Sequence, residues 1–232
     1  WRATAPTLNF EQRVAAARVG AALGMISSAD LVDLYSAIAE ETDSFAIAST
    51  PAGSLRKAYV EEEPGDRLDA LNTLWEGDIR TRDGYAGRIL TARAAAHIKP
   101  DEELIEHAAS LIASMLSAGL DRQAAMWWPV LAKADEEDAI DGWALLAVGA
   151  PGRVPVSEGR IRSWAERDKS ARGQHRAALL VAALTGLGRL DGRVVDELGS
   201  AYGANLAVSS RYLQRLDQAA GPRGRRGGGL LA

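Results

Sequence analysis

Apolar residues in this chain recur every three to four positions, and no run alternates apolar with polar between turn signals. That period builds amphipathic helices and gives a β-sheet nothing to pair. The segment from Asp101 to Gly119 shows it best. Leu104, Ile105, Ala108, Leu111, Ile112, Met115 and Leu116 form one apolar stripe. Pro100 suits a first helical turn, Asp101, Glu102 and Glu103 complement the positive end of the helix dipole, and Gly119 suits the left-handed residue after a helix. Asp121 is then placed to cap the next helix, whose inward face is Ala124, Trp127 or Trp128, and Leu131, with Pro129 kinking or shortening it.

The same grammar predicts further helices. Phe10 to Leu23 opens the series. Ser28 caps a helix facing inward through Leu31, Leu34, Tyr35 and Ile38, and a short helix follows Pro51. Asp66 and Asp69 resemble a capping box ahead of Leu68, Leu71, Leu74 and Trp75. Tyr85, Ile89, Ala92 and Ala96 mark another helix. Ile140, Trp143, Ala144 and Ala147 line up after Asp135, and Ile161 and Trp164 anchor a shorter helix. Three more fall near residues 171–186, 191–202 and 205–218. The expected fold is therefore all-α, with about ten or eleven short helices in antiparallel pairs. The stretches 42–65 and 149–157 read as irregular. The second carries Pro151 and Pro155 and suits a break between sub-bundles within a domain spanning 1–220. The Gly- and Arg-rich end, 221–232, reads as a tail, and Arg223, Arg225 and Arg226 belong to it.

Composition narrows the function classes. The chain has 232 residues, a hydrophobic fraction of 47%, a net charge of −4 and no cysteine. The acidic balance argues against a nucleic-acid surface, and disulfides and thiolate-bound metals are excluded. No apolar run is long enough for a membrane span. Lack of cysteine fits cytoplasm and periplasm equally, and a start at Trp1 fits a processed product or an excised part of a longer chain.

Candidate chemistry fares poorly. Glu103 and His107 stand four apart, but one such pair lacks the second copy a dinuclear metal bundle needs, and an exposed ion pair explains it. The acids Asp135 to Asp138 lack the alternating ligands of a calcium loop and suit a helix start. Gly186, Gly188 and Gly192 follow an alanine- and leucine-rich helix rather than a strand, so they read as a helix stop, not a dinucleotide cradle. No nucleophile elbow or phosphate-binding lysine loop occurs. Neither a cofactor nor a metal is expected. Trp127, Trp128, Trp143 and Trp164 remain as candidate binding residues. A half-exposed Trp can anchor a partner, whereas a buried one simply fills an alanine-rich core. Trp127 and Trp128 point about 100° apart on a helix, so both cannot be fully buried.

Gly119, Ala124, Trp128 and Leu131 stand at offsets of five, four and three, preceded by Ala108, Leu111 and Met115. This resembles the second half of a tetratricopeptide repeat with part of its first helix. It departs at Ile112, where that family has glycine, and Pro129 comes too early. Leu31, Tyr35 and Ile38, and Val194, Leu198 and Ala201, share the offsets without a fixed period. The resemblance implies an irregular α-α superhelix of a bacterial helical-repeat protein, binding a protein or peptide on a concave face. The expected function is a non-enzymatic interaction or scaffold module within a larger protein. The competing readings are an accessory helical domain of an enzyme such as a cell-wall lytic transglycosylase, and a self-associating structural bundle.

Overall fold

In the computed structural model the described residues are 2–5, 7–41, 44–76, 79–169 and 174–204. Among them the chain is all-helical: thirteen α-helical segments, two 3-10 turns and no strand. The helix expected at 205–218 and the Gly/Arg tail lie outside the described residues. The chain folds as two compact units, Trp1–Trp164 and Ala165–Ala232.

The first unit opens with α1 (Phe10–Ala22), held by a capping box in which Asn9 and Gln12 bond each other's backbone N–H. α2 (Ser28–Glu41) begins one residue earlier in its capping chemistry than expected. Ser27, not Ser28, accepts from the Asp30 N–H, and Asp30 accepts from both the N–H and the hydroxyl of Ser27. The Ser28 hydroxyl is buried without a hydrogen-bond partner.

The stretch 42–65 is far more regular than its sequence suggests. It holds α3 (Ser44–Ile47), the ten-residue α4 (Pro51–Val60) and the start of α5 (Pro64–Leu74). Thr50 caps α4 by accepting from the Gly53 N–H, and Pro51 fills the first turn, where a missing N–H is harmless. Gly53 is required here: a Cβ would overlap the Ile47 carbonyl oxygen and lie 2.9 Å from its carbon. The capping box read at Asp66 and Asp69 does not form. α5 starts earlier, with Pro64 in its first turn and Glu63 at the cap position making no side-chain bond.

α6 (Arg82–Ala96) buries eight residues, four of them alanine, and packs most closely on α7 (Ile105–Ser117). α7 buries Ala108, Leu111, Ile112 and Met115 of the expected stripe, and also Ser114. Its first turn is a 3-10 turn, Glu102–Leu104, capped by Asp101, so Pro100 lies outside the helix. That turn shifts the acids out of α-helical register, and His107 sits 3.4 Å from Glu106 rather than pairing with Glu103. Gly119 does adopt the left-handed conformation, φ +73°, and the Gly119 and Leu120 N–H groups bond back to the carbonyls of Leu116 and Met115.

The helix after Gly119 is broken in two, α8 (Asp121–Ala125) and α9 (Trp128–Leu131), because Pro129 occupies an early position of the second piece. Asp121 does not cap α8; its carboxylate accepts from the neighbouring Arg122 N–H. α10 (Glu136–Gly149) and α11 (Glu158–Glu166) follow. Segment 149–157 lies within the first unit, tied to α10 by the Trp143 indole N–H donating to the Pro155 carbonyl at 2.9 Å.

The second unit contains α12 (His175–Gly186) and α13 (Gly192–Tyr202), packed through Ala177, Leu180, Val181, Leu184 and Leu198. Gly188 ends α12 at φ +63°, as a helix stop requires. No helix among the described residues is long and apolar enough to cross a membrane.

Candidate functional site

An apolar groove of about 530 Å³ lies between α2 and α4. Each helix contributes one face at a spacing of three, four and seven. Val32, Tyr35 and Ala39 form one wall, and Ala52, Leu55 and Tyr59 the other. The floor is solid, because Tyr35, Ala52 and Leu55 are buried in a core shared with Leu31, Ile89 and Leu90. The upper walls are open: Val32, Ala39 and Tyr59 are half-buried, and Val60 is 62% exposed.

Both tyrosines are fixed from behind. The Tyr35 hydroxyl accepts from Arg18 of α1 at 3.0 Å. Arg18 in turn donates to the Asp83 side chain and backbone carbonyl on α6. Burial disfavours the Arg18 charge, but the bonds to Asp83 and Tyr35 outweigh it and hold its pKa above the ordinary value. The Tyr59 ring packs edge-on against His97 with ring centres 5.8 Å apart. Desolvation raises the Tyr59 pKa, with the Arg93 charge opposing. Neighbouring helices thus set the groove's shape before anything binds.

A second, polar cleft of about 390 Å³ lies between α4 and α5, lined by Ser54, Lys57, Glu61, Asp66, Asp69 and Thr73. It mixes one cation with three acids. Among the described residues no group of three or more His, Asp or Glu side chains could hold a metal.

A polar network links the end of α5 to α6 and α7. The Trp75 indole N–H donates to Thr91 at 2.7 Å, and the Thr91 and Ser114 hydroxyls bond at 2.9 Å. Ser114 donates to the Arg88 carbonyl, and the Arg88 guanidinium returns to the Ser110 carbonyl while lying 4.2 Å over the Trp75 ring. Burial pushes the Arg88 pKa down to about 10, which leaves it charged at neutral pH. Satisfied in this way, the network fixes helix register and offers no reactive group.

The four tryptophans singled out from sequence do not converge on a surface. Trp127 is 1% exposed, Trp143 0% and Trp164 8%, and core filling is the reading their burial fits. Trp164 spends its indole N–H on Asp141, and Trp143 on Pro155. Trp128 alone of the four stays half-buried. The sequence marks Tyr35 as inward-facing and a short helix after Pro51, but nothing in it pairs the two faces, because the second wall falls in a stretch that reads as irregular. The signal was present in the Thr50–Pro51 start and the spacing of Ala52, Leu55 and Tyr59.

These features define a class: an all-α chain with an apolar interhelical groove whose tyrosines are positioned by neighbouring helices. In comparisons with known proteins, the chain matches no family model, no curated protein and no solved structure.

Proposed function

We propose that this chain is a protein-interaction module built as an irregular tetratricopeptide-like stack, and that the α2–α4 groove receives an apolar segment of a protein partner. The groove carries the reading. An apolar concavity with tyrosines locked in place and Val60 exposed at its edge has the composition of an interface centre. The stacking reading draws support from α7 and α10. Gly142 faces Ile112 and Gly149 faces Leu116, so the two helices run in the same direction, with α8 and α9 between them in the chain. Successive first helices of a repeat stack are related in that way.

A photo-crosslinking residue placed at Ser36, on the groove wall, tests the proposal in cells of the source organism. The expected result is a discrete crosslinked protein that is absent when the crosslinker sits at Glu11 on α1, and lost when Ala39→Trp fills the groove. Identical products from both positions, or products that persist in the filled variant, would refute it.

A further inference from the structure

The groove's floor is apolar, but its walls carry opposite charges. Glu40 on α2 and Arg56 on α4 both line it, both are exposed, and neither bonds to another described residue. Resting on the groove as a docking surface, we infer that its occupant is an amphipathic helix of a partner protein. Its apolar stripe is flanked by a basic residue on the α2 side and an acidic residue on the α4 side.

The argument for a helix starts from the walls. Along the middle turns of α2 and α4 the N–H and C=O groups are committed to their own helices, so the groove has few backbone groups to offer. An extended segment laid there would bury its own N–H and C=O groups unpaired, whereas a helix arrives with them satisfied. The two walls present rows at helical spacing over about seven residues each, roughly 10 Å of axis. Such rows accept the ridge of a third helix along two turns. A volume of about 530 Å³ then holds the side chains of one stripe rather than the whole partner.

The charges set direction. A helix with one basic and one acidic flank meets an opposite charge on each wall in only one orientation. Turned end over end, it faces like against like on both. Charges at a rim choose partner and orientation more than they add affinity.

Three synthetic helical peptides test this against the full chain. They share a Leu/Ala stripe and carry Lys/Glu, Lys/Lys or Glu/Glu flanks, and binding is followed by fluorescence anisotropy at low salt. The expected preference is for Lys/Glu, about two- to fivefold over either uniform peptide. E40K should shift the preference to Glu/Glu and R56E to Lys/Lys, and about 0.5 M salt should erase all of these differences. Ala39→Trp should abolish binding of every peptide. Equal affinity for the three peptides, unmoved by E40K or R56E, overturns the charged flanks while leaving the groove a docking surface. An amphipathic dye such as anilinonaphthalene sulfonate binding in the groove while no peptide does overturns the helical occupant. Binding of neither peptide nor dye also overturns it. The crosslink at Ser36 reports on the docking surface separately.

Discussion

Replacing Gly53 with alanine tests the close approach of α4 to the Ile47 carbonyl at the end of α3. The substitution has two opposed effects. Alanine favours a helix over glycine by about 1 kcal/mol, which would stabilise α4. Against that, the new Cβ overlaps the Ile47 carbonyl oxygen, a backbone atom that no rotamer change can move aside, and lies 2.9 Å from the carbonyl carbon. Forcing packed elements apart costs about 3 kcal/mol at the upper end of overpacking measurements. The clash wins, and the net loss is about 2 kcal/mol. In hydrogen exchange that loss corresponds to about a thirtyfold fall in protection of the α4 amides that follow Pro51, if they exchange by opening of this region. Local exchange is the better assay, because a chain with two compact units need not melt in one transition. Gly65→Ala on α5 is the control: nothing lies within 4 Å of its Cβ position, so protection there should hold or rise slightly. Should Gly53→Ala match or exceed the parent in α4 protection, the close approach of the two helices would be wrong.

Three further outcomes follow from the packing. Thr91→Val removes the acceptor of the Trp75 N–H with little change of shape, so it should cost about 1–3 kcal/mol. In that background Trp75→Phe should cost less than in the parent, and a double-mutant cycle read by hydrogen exchange of the first unit's helices measures the coupling. Trp143→Phe gives up the bond to Pro155 and leaves a small void, with an expected loss of about 1–3 kcal/mol by the same assay. Tyr59→Phe is a pH experiment. Desolvation raises the folded pKa of Tyr59 above its ordinary value of 10, so above pH 10 the folded state holds a proton that the unfolded state releases. Stability is therefore lost as pH rises from 10 through the folded value. The phenylalanine variant should lose less over that range, and parallel curves for the two proteins would refute the assignment.

The helices themselves were legible because burial writes a period into the sequence. Leu111, Ile112 and Met115, or Ile140, Trp143 and Ala147, leave little alternative, and all are buried. Caps were less legible, since Ser27 and Ser28 offer the same hydroxyl and only packing decides between them. Ser28 turns inward with no partner, and Ser27 closes the turn with Asp30. The Asp101 cap shows a second limit: a 3-10 turn rotates side chains by a different angle, so a pairing inferred at α-helical spacing, Glu103 with His107, dissolves.

The candidate site was hidden for a deeper reason. Tryptophan attracts attention through its size, and the same size is what draws it inside, where Trp127 and Trp143 now fill space among alanines. A groove between helices is written the other way, as short side chains where long ones would close the gap. Ala39 and Ala52 hold wall positions whose neighbours along the same faces are Val32, Tyr35, Leu55 and Tyr59. On either helix alone such an alanine passes as ordinary helix-forming sequence. Its meaning appears only when α2 and α4 pack together and the two small residues share one opening. In an alanine-rich chain, then, the residues that make room for a partner look like those that let helices pack closely, and only the third dimension separates the two uses.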